Sequence, residues 1–471
     1  MRLLPFLFLG ATVLPSFAEL KLPALFSDKM VLQQGMDVPV WGWADPGAEI
    51  SVTFAGQTEK TKVPASGKFE LKLKPLEASA QERELTVTSS SKETLVIKEV
   101  VVGEVWLGSG QSNMQWTINK VSQEQQKLAK EKDRPNLRIF FVPLKASYEP
   151  QEDVQATWKK SLAADTPAFS AVAWAFGNQL QQELNVPVGM ITSSWGGSRI
   201  EPWISDQAFA ENPMLKAIAE TRQKQKEAKK LKLNNHGYGL YQAMIHPLQP
   251  YALRGFLWYQ GESNVADASK YLEMKRSLIE GWRKDWQQPD APFLYVQLAP
   301  FTYEKNRVGK LPLMWEAQEK CLEIPHTGMA VINDVGNLKN IHPLDKLTVG
   351  KRLAGMALNM SYGKKDLVAN SPRLKKVSRT EDGLIVLSFD HLGEGLMMTK
   401  GDQLTHFELV FPNGSVVPVA AQISEDGQNI LIKAEKADEA VEVRFAWSNT
   451  AEPNLANSAG LPASAFRRKL P

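Results

Sequence analysis

The sequence predicts an α/β central domain with an all-β domain on either side. Three observations carry this. Short runs that alternate apolar and polar residues fill both ends of the chain, and from about residue 100 to 361 apolar runs alternate with longer helical stretches. At 471 residues, with roughly 150 per domain, the length suits about three domains.

In chain order, residues 1–18 read as a signal peptide. Arg2 is the positive end, Leu3 to Leu14 the apolar stretch, and Ser16-Phe17-Ala18 the small-residue cleavage site. The apolar stretch is shorter than the ~20 residues a spanning helix needs. A secreted or periplasmic protein is therefore expected, with no membrane span after cleavage. Residues 19–99 form the first β domain, a small sandwich. Val38-Pro-Val-Trp-Gly-Trp, Ile50-Ser-Val-Thr-Phe, Phe69-Glu-Leu-Lys-Leu and Leu85-Thr-Val-Thr have the period of half-buried strands.

Residues 100–361 form the α/β domain. Its expected strands begin at Val100, Leu137, Val188, Gly255, Phe293 and Met329, and several are apolar on both faces, as strands covered by helices must be. Tyr271, Met274, Leu278 and Trp282 recur at helical spacing. Residues 213–233 are a lysine-rich helical excursion, read as a solvated face. Residues 362–471 return to strand periodicity, with a hairpin turn at Pro412-Asn413-Gly414.

Charge and cysteine content narrow the function. The 55 basic and 52 acidic side chains are mixed and net to +3, which gives no reason to expect nucleic acid as a partner. The one cysteine, Cys321, excludes a disulfide framework and reads as a buried, inert thiol.

Four segments could carry chemistry. Gly108-Ser-Gly-Gln-Ser112-Asn-Met follows a strand directly, where an open α/β sheet places its ligands. It lacks the second glycine of a G-x-S-x-G elbow, and taken alone such a turn is structural more often than catalytic. Ser193-Ser-Trp-Gly196-Gly197-Ser198-Arg199-Ile-Glu201-Pro-Trp203 also follows a strand, and its paired glycines suit either oxyanion N–H donation or a tight turn. Trp258-Tyr-Gln260-Gly261-Glu262-Ser263-Asn264 offers an amide donor. Asn340-Ile-His342-Pro supplies a histidine before a helix that begins near Lys346. Of the six histidines, His246 lies in an apolar segment and reads as packed.

Together these blocks resemble those of the sialate O-acetylesterase family, within the SGNH hydrolases. The stretch from Arg444-Phe-Ala-Trp to Gly460-Leu-Pro-Ala-Ser-Ala-Phe-Arg is also similar, so the resemblance spans nearly all of the mature chain. It implies a flavodoxin-like three-layer α/β/α domain flanked by β-sandwiches, and hydrolysis of acetyl esters on carbohydrates without a metal or other cofactor. By the same resemblance Ser112 is the nucleophile and, through its N–H, an oxyanion donor. Gly196 is the second donor, with Gly197 the runner-up, and Asn264 the third. His342 is the base. Gln111, Arg199, Trp203, Gln260 and Glu262 line the pocket, and Trp195, Trp203 and Trp258 suit sugar stacking or core packing. Arg199 either meets a sugar carboxylate or pairs with Glu201 or Glu262.

The chain departs from the family at the acid. The positions two and three before His342, where relatives carry Asp, hold Asn340 and Lys339. Asn340, Asp334 or a backbone carbonyl is left to orient the imidazole. O-acetylated sialic acid is the first expected substrate. Acetylxylan or another acetylated polysaccharide is the alternative, and a carbohydrate-binding protein with a degenerate hydrolase core is a further rival.

Overall fold

The computed structural model describes residues 19–471, so the expected signal peptide lies outside the described residues. The first part of the chain builds β1 (Val31–Gln33), β2 (Val38–Trp43), β3 (Glu49–Phe54), β4 (Gln57–Lys62), β5 (Lys68–Leu73) and β6 (Ser79–Ser89). Alternate residues of β3 and β5 are buried, as their patterning predicts. β2 pairs with β5, and β3 pairs antiparallel with both β4 and β6. β4, Gln-Thr-Glu-Lys-Thr-Lys, has no apolar face and no strand signal. It forms because Ala55 and Gly56, both at positive φ, make the two-residue turn that folds it onto β3.

β7 (Thr94–Gly110) runs for 17 residues and passes straight through position 100. It pairs antiparallel with β6 and parallel with β1. From Glu104 on it lies between two further strands of a second sheet. Every residue from Val100 to Gly110 is buried.

That second sheet adds β8 (Arg134–Phe141), β9 (Trp158–Ser161), β10 (Val188–Ser194), β11 (Gly255–Tyr259), β12 (Phe293–Val296) and β13 (Thr327–Ala330). The order is β13-β12-β11-β7-β10-β8-β9, parallel throughout except for β9. All six expected strands are present. β9 lengthens the edge and has only four residues. With β8 and β9 set aside, the five remaining strands follow the doubly wound order 2-1-3-4-5. Winding reverses at β7, between β10 and β11, and the crevice beyond the carboxyl ends of these strands is where such sheets bind ligands.

Helices cover both faces. Trp282, from the Ala268–Asp285 helix, packs on Phe256 and Phe293. Tyr259, three residues on and so on the opposite face, lies under Lys346 of the Lys346–Ser361 helix. That helix crosses the Ala171–Leu184 helix at Gly350. A Cβ there would lie 2.5 Å from Ala175 Cβ and 2.8 Å from the Phe176 nitrogen.

The C-terminal part holds two four-stranded antiparallel sheets and a two-stranded ribbon. Its last segment reaches back to the loops after β12 and β13. Gln297 donates to Ser464 Oγ, and Asn333 to the Ala463 carbonyl. The lysine-rich Lys216–Glu227 helix buries none of its residues. Cys321 is fully buried, and burial pushes its thiol up to about 11. Among the described residues no helix is long and apolar enough to cross a membrane.

The helix crossing gives a direct test. Gly350→Ala should lower stability by roughly 1–3 kcal/mol, because backbone and not a flexible side-chain tip receives the new methyl. Denaturant unfolding measures this, and an unchanged midpoint would contradict it.

Candidate active site

β7 ends at Gly110, whose φ of +135° is open to glycine. A Cβ at this position would lie 2.1 Å from the Tyr259 carbonyl oxygen, so only glycine lets the ends of β7 and β11 approach this closely. Gln111 N–H then bonds the same carbonyl at 3.0 Å. The chain turns at once into the one-turn helix Ser112–Gln115. Ser112 is its first residue, so no carbonyl within the helix takes its N–H.

The loop after β13 brings in His342 from 230 residues away, with Nε2 2.8 Å from Ser112 Oγ. This is the hydrogen bond by which a base activates a serine. Burial, and then the positive charge of Lys346, hold the imidazole pKa below its ordinary 6.5. The Trp116 ring lies parallel to the imidazole, with centroids 4.4 Å apart and planes at 15°.

A buried polar network underlies the pair. Asn113 Nδ2 donates to Glu262 Oε1 at 2.5 Å and to the Ile341 carbonyl at 3.0 Å. Lys346 Nζ donates to Asn113 Oδ1 at 2.5 Å. The side chain next to Ser112 thus grips the backbone next to His342. Burial raises the Glu262 carboxyl against the pull of Asn113 and Lys346, and lowers the Lys346 ammonium to about 7 against Glu262 and Asp345. Neither Asn113 nor Lys346 was singled out from the sequence. Their signal was position alone: one follows the serine, and the other opens the helix after the histidine.

Gly196 comes to Ser112 as expected; a Cβ there would lie 3.6 Å from Ser112 Cβ. Its N–H is taken by Gln115 Oε1 at 2.8 Å. Gly197 offers its carbonyl outward, to Ser263 Oγ and His236 Nε2. Asn264 is fully buried. Its Oδ1 accepts from Ile200 N–H and Gln260 Nε2, and its Nδ2 donates to Glu201.

Several residues expected to line the pocket stand behind its wall. Trp203 and Gln260 are 0% exposed. Trp203 Nε1 bonds Ser198 Oγ, and Gln260 Nε2 bonds the Ser198 carbonyl, so both brace the glycine turn. Gln111, nearly buried, accepts from the N–H groups of Gly261 and Ser263 through Oε1. Glu262 belongs to the buried network. Trp258 is core, while Trp195 is partly exposed. Arg199 is held by Glu201 at 2.6 Å and by Asp267 at 2.7 Å. Burial would lower its pKa, but the two carboxylates outweigh this and hold it above the ordinary value.

Neither expected orienter bonds the imidazole. Asn340 Oδ1 instead accepts the backbone N–H of His342 at 3.0 Å, two residues on, as an Asx turn does. Asp334 is paired with Arg352 at 2.5 Å. His246 is packed, with Nδ1 3.0 Å from the Gln151 carbonyl.

A serine–histidine pair at the carboxyl edge of a parallel sheet is the equipment of a carboxylic ester hydrolase. Comparison with known proteins makes this specific. A family profile described as carbohydrate esterase, sialic acid-specific acetylesterase, matches residues 102–359. The sialate O-acetylesterase of Mus musculus is 32% identical over 423 residues, covering 77% of each chain. That of Homo sapiens is 31% identical, covering 77% of this chain and 75% of its own. A carbohydrate acetylesterase from Xanthomonas citri superposes with a TM-score of 0.85 at 35% identity, over 96% of this chain and 99% of its own. The chain belongs to the sialic acid-specific acetylesterase family of carbohydrate esterases.

An imidazole accepts a proton only when neutral, and a lowered pKa keeps His342 neutral in mild acid. The acid limb of kcat/KM should therefore have its midpoint below 6.5. Lys346→Met removes a charge that opposes protonation, and should move that limb to higher pH. A pH profile of acetate release on both proteins checks this, and a limb that stays still would refute the Lys346 effect.

Proposed function

We propose that the protein removes O-acetyl groups from carbohydrates through an acetyl–Ser112 intermediate, with His342 as base. The observation that carries this is the 2.8 Å hydrogen bond between Ser112 Oγ and His342 Nε2, at the switch point of the sheet. Ser112 Oγ attacks the acetyl carbonyl carbon while its proton passes to Nε2. The oxyanion is held by the N–H groups of Ser112 and Gly196, whereas Asn264, fully buried with Nδ2 on Glu201, braces the wall behind them instead of serving as the expected third donor. Collapse expels the sugar hydroxyl, which takes the proton from His342. Water then attacks the acetyl group, His342 accepts its proton, and acetate leaves as Ser112 is restored.

The strand order supports the flavodoxin-like three-layer architecture of SGNH hydrolases. The chain divides into residues 19–99, 100–361 and 362–471, with residues 1–18 removed on export to the periplasm or beyond. The polar pocket residues, Gln111, Arg199 and Glu262 among them, shape the site mainly by fixing its walls.

O-acetylated sialic acid is the substrate that the relatives' name carries. One observation favours a second reading, an acetylated neutral polysaccharide such as xylan. Two carboxylates already occupy the Arg199 guanidinium, leaving no spare positive charge there for a sugar carboxylate.

Ser112→Ala should cut acetate release by roughly three orders of magnitude or more while the fold is kept. Substantial turnover by this variant would refute the mechanism, and a panel of acetylated sialic acids and xylo-oligosaccharides separates the substrates. Gln115→Ala should free the Gly196 N–H for the oxyanion, raising kcat severalfold. Steady-state kinetics would show the reverse, a fall in kcat alone, if Gly196 were not a donor.

A further inference from the structure

We propose that Trp116 is the positioning residue of His342, its indole face doing for the imidazole what a carboxylate does in a triad. The proposal rests on the Ser112–His342 reading above. Among the described residues the imidazole makes one hydrogen bond, to Ser112 Oγ, and neither Asn340 nor Asp334 touches its other nitrogen. One bond to a rotatable hydroxyl leaves the ring free to swing about its Cβ–Cγ axis. The indole removes that freedom, because planes at 15° and centroids at 4.4 Å clamp one whole face of the ring.

The clamp is built into the nucleophile's own turn. Trp116 lies four residues after Ser112, the spacing that puts two side chains on one side of a helix. Its N–H bonds the Ser112 carbonyl at 2.8 Å, and its carbonyl accepts from Ala171 N–H at 2.8 Å. Serine and platform therefore move together, and the imidazole is held between them.

The indole also acts electrostatically. When Nε2 takes the serine proton, the imidazole becomes a cation facing the negative π-cloud of tryptophan, the best aromatic partner for a cation. The attraction exists only while the ring is charged, so it lowers the barrier and not the ground state. A triad aspartate supplies the same two things, orientation and countercharge, through Nδ1.

The test replaces Trp116 with tryptophan carrying one, two and four ring fluorines, inserted at this position alone, and with Phe. Fluorine drains the π-cloud but leaves the ring shape nearly unchanged. Single-turnover acylation by an aryl acetate should fall stepwise along the series, by about tenfold in all, with KM unchanged. Trp116→Phe should keep about a third of the rate. A flat fluorine series would overturn the proposal, as would a loss confined to KM for sugar acetates, since that would make Trp116 a substrate platform. His342→Ala is measured alongside. If it retains turnover, the underlying base assignment fails; if it is inactive while the series is flat, only the Trp116 role does.

Discussion

The site depends on one amide. Asn113 joins segments more than two hundred residues apart, accepting from Lys346 and donating to Glu262 and to the backbone beside His342. Ser112 and His342 reside on turns from distant parts of the chain, and the amide ties the residue beside one to the residue beside the other. A buried ammonium and a buried carboxylate are expensive apart. Bridged by an amide that bonds both, they become a fixed strut. It lies beside the 2.8 Å contact between Ser112 and His342, and after burial its ammonium is the next cause that holds the imidazole pKa down.

Much of this was legible in the sequence. Six parallel strands follow from apolar runs buried on both faces, and Ser112, Gly196 and His342 converge as their blocks imply. β4 was not legible, because a strand with polar side chains on both faces is specified by its turn and its partner, not by its own pattern. β9 is four residues at an edge and has too few positions to show a period.

Within the site, residue type proved a poor guide to where a side chain points. Trp203, Gln260 and Gln111 belong to blocks that look like substrate contacts, yet each bonds a loop from behind. Polar side chains packed around catalytic loops must satisfy the backbone groups those turns leave unpaired, and here that task absorbs most of them. The partner of the imidazole was missed for the opposite reason. Asn340, Asp334 and a backbone carbonyl are hydrogen-bond partners close to His342 in sequence, whereas the residue on its face is an indole that caps the Ser112–Gln115 helix.

The long strand β7 has a consequence for how such a chain can diversify. One continuous ladder serves the N-terminal sheet and then leads into the turn that carries Ser112. A recombination joint near residue 99 would sever that ladder, and a replacement partner would need to match its register on both sides. The N-terminal part is thus not a cassette exchanged at will but a foundation inherited with the serine. The C-terminal part begins after a helix end at Ser361. It meets the loops after β12 and β13 through side-chain bonds from Gln297 and Asn333 and a backbone bond from Phe301 N–H to the Asn449 carbonyl, separate contacts that can be altered one at a time.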